Sequence, residues 1–217
     1  MTPPPATVYV VDDDAAMRAS LEFMFTGTGL QVEAYASAET FLAAWRPERH
    51  GCLILDLRMP GMSGHELHRH LNALGRHVPV IVLTGHGDVP AAVGEMKMGA
   101  FDFLTKPVNR EVLLQRVREA LDADHAQNRQ HEEAAAFRQR LATLSPRELE
   151  VMDHVAQGQA NKEIARQLGL SERTVANHRA HLSHKLGTAN AADLVRQLGL
   201  IGRIGPHVEV NSSPPRR

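Results

Sequence analysis

Cysteine is nearly absent: a single residue, Cys52, occurs in 217. One thiol cannot form an internal disulfide, and beside the apolar run Leu53-Ile54-Leu55 it reads as a core residue rather than a reactive one. Long apolar runs are missing too. The longest, 78–83, contains Pro79 and falls far short of the roughly 20 residues a membrane-spanning helix requires. The first residues, Met1-Thr-Pro-Pro-Pro, have neither a basic start nor an apolar stretch, so no secretory signal is expected. A cytoplasmic protein without a membrane partner is the expectation. Net charge is also small, −1 at pH 7, but it is unevenly spread: residues 1–120 sum to −3 and residues 121–217 to +2. That asymmetry fits nucleic-acid binding only weakly and needs support from motifs.

What is present is an ordinary globular composition, 43% hydrophobic and 23% charged, in a chain long enough for two small domains. Through residue 120, short apolar runs alternate with helix-length amphipathic stretches five times, the pattern of a parallel sheet covered by helices. Strands are predicted at 7–11, 31–35, 52–55, 78–83 and 102–105, and helices at 15–28, 38–45, 64–74, 89–98 and 110–121. Asp14, Ser37, Ser63 and Asn109 are candidate helix caps. From 122 to 140 neither glycine nor proline occurs, and Ala, Gln, Glu, Arg and His dominate, which predicts a solvated helical connector. Only Leu121, Phe137 and Leu141 could form a seam there, so a short dimeric coiled coil is one option. Beyond it, Ser145-Pro-Arg-Glu148 is a capping box with proline at the first helical position, and three further helices follow Asn161, Ser171 and Asn190. The expected division is 6–121, a linker at 122–142, a helical domain at 143–204 and a disordered tail at 205–217.

Ligands of a parallel α/β sheet gather where strands end in their carboxyl-terminal loops. Here the first strand ends in Asp12-Asp13-Asp14, the third in Asp56, the fourth in Thr84 and the fifth in Lys106-Pro107. Crowded carboxylates repel one another unless a hard cation neutralises them, which points to Mg²⁺. An aspartate can attack phosphorus to form an aspartyl phosphate when metal and cation absorb charge on the phosphoryl oxygens. Asp56 is the candidate nucleophile, with Lys106 and the Thr84 hydroxyl as partners of the phosphoryl group. Taken alone, Asp12–Asp14 would read as a helix-capping cluster, and Thr84 or Lys106 as a plain loop residue. Jointly they favour a phosphoryl site. His86 reads as a solvated loop histidine, and His65, His68 and His70 share a helix without making a metal site, since 65 and 70 lie on different faces.

With these residues in place, 6–121 resembles the response-regulator receiver family over its whole length. The resemblance is carried by Val10-Val-Asp-Asp-Asp14, Leu55-Asp-Leu-Arg-Met-Pro-Gly-Met-Ser-Gly64, Leu83-Thr-Gly-His-Gly-Asp-Val-Pro90 and Phe103-Leu-Thr-Lys-Pro107. It implies a flavodoxin-like fold with a five-stranded parallel sheet in the order 2-1-3-4-5 and a cis Lys106-Pro107 bond. It also implies that Asp56 accepts a phosphoryl group from a sensor histidine kinase, and that Asp13, Asp56 and the main-chain carbonyl of Arg58 hold Mg²⁺, Asp12 assisting through water. Thr84 and Phe103 would be the switch pair. Phe103 lacks a hydroxyl, so its signal would be steric. The two glycines flanking His86 would let the 85–90 loop rearrange, placing a dimer switch on the fourth helix and fifth strand. Such a receiver is no metabolic enzyme, though slow autodephosphorylation is an expectation.

Asn161-Lys-Glu-Ile-Ala-Arg-Gln-Leu-Gly-Leu-Ser-Glu-Arg-Thr-Val175 reads as helix, glycine-containing turn, helix, a DNA-binding signature. On a helical wheel Val175, Leu182 and Leu186 form the inward stripe, against Ile164, Ala165 and Leu168. Outward residues near the start of a recognition helix meet base edges, and cations further out meet phosphates. Asn177 is the candidate base reader, since its amide matches adenine N6 and N7, and Ala176 and Ala180 could meet thymine methyls. Lys162, Arg173, Thr174, Arg179, His181 and Lys185 are phosphate candidates, with Arg179 partly turned inward. Leu144-Ser-Pro-Arg-Glu148, Asn161-Lys-Glu-Ile-Ala165 and Arg173-Thr-Val175 followed by His178-Arg179 resemble the LuxR-type helix-turn-helix, which adds His178 to the DNA-facing set. The four helices make this an all-α domain. A receiver followed by such a domain resembles the FixJ-type response regulators, with double-stranded promoter DNA, RNA polymerase and a second copy of the chain as expected partners. Ala176 and Asn177 depart from commoner members, so operator preference does not carry over. Two other classes stay open at this level: a Mg²⁺-dependent phosphatase, disfavoured because Arg58 stands two residues after Asp56 where such enzymes use an acid, and a DNA binder indifferent to phosphorylation.

Overall fold

The computed structural model describes residues 6–46, 49–74, 78–85 and 89–203. The tail expected at 205–217 and His86 lie outside the described residues. The chain divides into two compact units between Asn128 and Arg129.

The first unit is a parallel sheet in the order β2-β1-β3-β4-β5. Its three central strands, β1 (Thr7–Val11), β3 (Gly51–Leu55) and β4 (Val80–Thr84), are buried at every residue. The edge strands β2 (Gln31–Tyr35) and β5 (Asp102–Thr105) are more accessible. Strand alternation divides the core in two. Val8, Val10, Cys52, Ile54, Ile81 and Leu83 face α1 (Ala15–Phe25) and the first turns of α5 (Arg110–Leu141), which contribute Leu21, Phe25, Leu113 and Val117. Tyr9, Val11, Leu53, Leu55, Val80 and Val82 face α2 (Ala38–Ala44) and α3 (Gly64–Ala73), through Phe41, Leu67 and Leu71. Cys52 is fully buried, and burial pushes its thiol above the ordinary range, in keeping with a core role. The remaining helix of this unit is α4 (Val89–Lys97).

Three local differences from the sequence-based elements have identifiable causes. β4 starts at Val80 rather than at 78 because Pro79 has no N–H for the ladder, although its carbonyl still accepts the Leu53 N–H at 2.9 Å. α1 stops at Phe25, where Gly27 and Gly29 adopt φ of +78° and +79°. The fifth helix runs on to Leu141, through the stretch read as a connector. Asp124 explains part of that extension: it is buried, and its carboxylate accepts the Gly51 N–H at 3.1 Å.

The second unit packs α6 (Pro146–Ala156), α7 (Asn161–Leu168), α8 (Glu172–Leu186) and α9 (Ala191–Leu200) around one apolar cluster. Ser145 caps α6 reciprocally with Glu148, and Ser171 caps α8 by accepting the Thr174 N–H. Phe137, one of the three residues weighed as a dimer seam, is fully buried in this cluster, while Leu121 belongs to the core of the first unit. Each seam candidate is thus committed to a core within its own unit or, as with Leu141, packed beside one. Truncating a buried phenylalanine removes transfer energy and leaves a cavity. Phe137→Ala is therefore expected to destabilise the second unit by about 3–5 kcal/mol, measurable as a lowered urea midpoint.

Candidate functional site

Sheet register gathers the polar residues of the first unit. Val11 is paired with Leu55, so Asp12 and Asp56, the next residues on each chain, leave the sheet side by side. Thr84 is paired with Thr105, which places Lys106 just beyond the end of β4, its N–H donating to the Thr84 carbonyl at 2.8 Å. The Lys106-Pro107 bond is cis. Asp12, Asp13 and Asp56 each offer a carboxylate oxygen within 4.8 Å of the others, the sole metal-suited group of that kind among the described residues. Asp12 and Asp56 are buried and Asp13 is exposed.

One ammonium serves the two buried acids. Lys106 Nζ lies 2.6 Å from Asp12 Oδ2 and 2.6 Å from Asp56 Oδ2. The other oxygen of Asp56 accepts the Arg58 N–H at 3.1 Å, and that of Asp12 accepts the Asp14 N–H at 2.9 Å. Both carboxylates are therefore fixed in orientation. Burial raises the Asp12 carboxyl above the ordinary range, with the Lys106 and Asp14 hydrogen bonds pulling the other way. Burial disfavours the Lys106 ammonium, but its two carboxylate partners outweigh that and hold its pKa above the usual lysine value. The acidic run splits by function: Asp14 caps α1 through the Ala16 and Met17 amides, so the capping interpretation is true of that one residue.

The loop after Asp56 folds back tightly. Gly64 opens α3 under the Asp56 carbonyl, where an added Cβ would stand only 2.0 Å from that oxygen. Thr84 is buried at the end of β4, and Phe103, half-buried on β5, packs against the core face that holds Val80 and Val82. Thr84, Arg58, His65, Gly94 and Glu95 all border one cavity of about 310 Å³. Sequence reasoning passed over Arg18, which donates to the Asp12 carbonyl at 2.6 Å, and Glu95, whose buried carboxylate pairs with His65 and His68. The only hint available was the i, i+3 spacing of the two histidines.

In the second unit Val175, Leu182 and Leu186 are buried with Ile164 and Ala165. Gly169 closes α7 at φ +64°, the left-handed conformation that turns the chain into α8. Lys162, Arg173, Ala176, Asn177, Ala180 and His181 are exposed, and Thr174 and His178 half-buried. Two of the DNA-contact candidates are held within the unit. Arg179 donates to Asn161 Oδ1 at 3.0 Å, tying α8 to the start of α7, and Lys185 Nζ lies 2.7 Å from Glu148 Oε2. Lys185 and the Ser145 amide bring the Glu148 carboxyl down to about 2, from 4.5. A carboxylate whose folded pKa is depressed adds stability that is complete above 4.5 and lost as pH falls toward 2. Lys185→Met should lower the thermal midpoint at pH 6, and the gap from the wild type should shrink steadily as the pH is taken below 4.

Comparison with known proteins adds relatives to this geometry. Residues 8–118 match the response regulator receiver domain, and residues 142–198 match the luxR family of bacterial regulatory proteins. The chain is similar to the transcriptional regulatory protein FixJ of Azorhizobium caulinodans, 46% identical over 195 residues, covering 90% of this chain and 92% of that one. FixJ of Rhizobium meliloti is 45% identical over 200 residues, covering 92% and 98%. Among solved structures, the response regulator StyR aligns with a TM-score of 0.78 at 39% identity, covering 90% of this chain and 98% of that one.

Proposed function

The chain belongs to the response regulator family, a receiver domain followed by a luxR-type regulatory domain, and from that premise we propose that Asp56 is its phosphoryl acceptor and α8 its DNA-reading helix. Members of this family are transcription regulators and not metabolic enzymes. The observation that carries the proposal is the meeting of Asp12, Asp13 and Asp56 within 4.8 Å, with Lys106 Nζ 2.6 Å from Asp56.

An oxygen of Asp56 attacks the phosphorus of a phosphohistidine on a sensor histidine kinase. The P–O bond forms as the P–N bond breaks, and the imidazole leaves with the electron pair and takes up a proton. Lys106, already lodged between two carboxylates, exchanges a carboxylate oxygen for a phosphoryl oxygen. The Thr84 hydroxyl donates to another, and Phe103 turns into the space Thr84 gives up. The donor set suits a hard divalent cation. Asp13, Asp56 and the Arg58 carbonyl would hold Mg²⁺, with Asp12 acting through water, and the ion would supply charge neutralisation at the phosphoryl oxygens. Slow hydrolysis of the aspartyl phosphate resets the receiver.

Phosphorylation promotes dimerisation, and two copies of α8 then occupy half-sites about one helical turn apart on promoter DNA. Asn177, exposed near the start of α8, reads a base edge, with Ala176 and Ala180 beside it. Lys162, Arg173, Thr174, His178 and His181 supply phosphate contacts. Arg179 and Lys185 contribute while also bracing the helix from within. The complex engages RNA polymerase, and the protein works in the cytoplasm, where promoter DNA lies.

Acetyl phosphate with Mg²⁺ should convert the full chain from monomer to dimer in light scattering and raise its affinity for selected operator fragments by roughly 10-fold or more. Asp56→Asn should show neither change, and equal affinity of the treated and untreated wild type would remove the switch. Asn177→Ala should cost about 1–3 kcal/mol of discrimination at one base pair of the same fragments, with binding to random DNA unaltered.

A further inference from the structure

Helices usually attach to a sheet by an apolar stripe. α4 does not. Among its described side chains the only buried one is Glu95, 1% exposed, whereas Val93 and Met96 are 47% and 48% exposed. Its carboxylate meets two imidazoles of α3: Oε1 lies 2.8 Å from His65 Nδ1, and Oε2 lies 2.7 Å from His68 Nδ1. His68 is itself buried. A further bond from α3, Asn72 Nδ2 to the Met98 carbonyl at 2.9 Å, holds the chain just past α4. Burial would push the Glu95 carboxyl up, but the two imidazoles reverse that and hold it below the ordinary range. The three residues do not bring ligand atoms within 4.8 Å of one another as Asp12, Asp13 and Asp56 do, so they form a hydrogen-bonded clasp rather than a metal centre.

The clasp adjoins the proposed switch. Thr84, Arg58, His65, Gly94 and Glu95 all line the 310 Å³ cavity. Movement of Thr84 toward a phosphoryl group on Asp56 would alter the lining that it shares with the clasp. Directional bonds to a buried carboxylate are made or lost as a set, which suits an element with two discrete positions.

We propose that Glu95, gripped by His65 and His68, is the positioning residue of this switch, holding α4 against α3 at rest and releasing it when Asp56 carries a phosphoryl group. This inference rests on the function proposed above, and its test separates the two. Amide hydrogen exchange is followed on the full chain, with and without Mg²⁺ and beryllofluoride as a phosphoryl mimic. In the wild type, kept dilute enough to stay monomeric when loaded, loading should speed exchange in 89–97. In unloaded Glu95→Ala those amides should already exchange at the loaded rate, on the order of 10-fold faster than in the resting wild type, while β1 and β3 stay protected. His68→Asn keeps an N–H donor near the Nδ1 position and should preserve slow exchange. His68→Leu removes it and should not.

Slow exchange in unloaded Glu95→Ala overturns the clasp, as does equal behaviour of the Asn and Leu variants. So does loading that alters peptides around Asp56 and Lys106 yet leaves 89–97 unchanged. Loading that alters nothing in the wild type refutes the phosphoryl-acceptor function itself.

Discussion

The ammonium of Lys106 reaches from the loop after β5 to carboxylates that follow β1 and β3. Asp12 and Asp56 sit side by side in a buried pocket with Asp13 at its rim, and such charges repel strongly at low dielectric. Without a cation at that point the strand ends would have to separate or give up their ionisation. Most of the first unit can be seen as the means of holding this arrangement: the Val11–Leu55 and Thr84–Thr105 pairings that set the positions, the buried central strands, and the Gly64 turn pressed under the Asp56 carbonyl. Lysine suits the task because its charge is a compact point on a flexible stem, able to change oxygen partners without the fixed fork of an arginine.

Much of this architecture was legible in the residues. Short apolar runs located all five strands, the central ones most plainly because parallel strands buried on both faces read as continuous apolar stretches. The caps at Asp14, Ser37, Ser63 and Asn109 and the capping box at Ser145 are local chemistry and occur as anticipated. Less legible were features decided by tertiary contact. Pro79 looked like part of a strand until the ladder needed its missing N–H, and the fifth helix gave no polarity signal that Asp124 would be drawn beneath β3. Glu95 was the clearest omission. A single acid in a short helix is usually solvated, and only the fold brings it between two histidines about thirty positions earlier.

The long fifth helix illustrates how little a polar composition says about which few residues matter. Its mean character is that of a solvated rod, yet Leu121, Asp124, Ala134 and Phe137 are all buried. Leu121 and Asp124 serve the first unit and Phe137 serves the second, on either side of the division between Asn128 and Arg129. Residues that looked like a stripe available to another chain are occupied at home. Val112 apart, the large side chains that remain outward on this helix are polar or charged.

In α8 the labour is divided just as sharply, and that division has an evolutionary consequence. Val175, Leu182 and Leu186 anchor the helix, and Arg179 and Lys185 brace it against Asn161 and Glu148. Arg173, Ala176, Asn177, Ala180 and His181 carry none of that load. Descendants of this chain can thus explore new outward side chains, one position at a time, on a scaffold whose stability hardly registers the change.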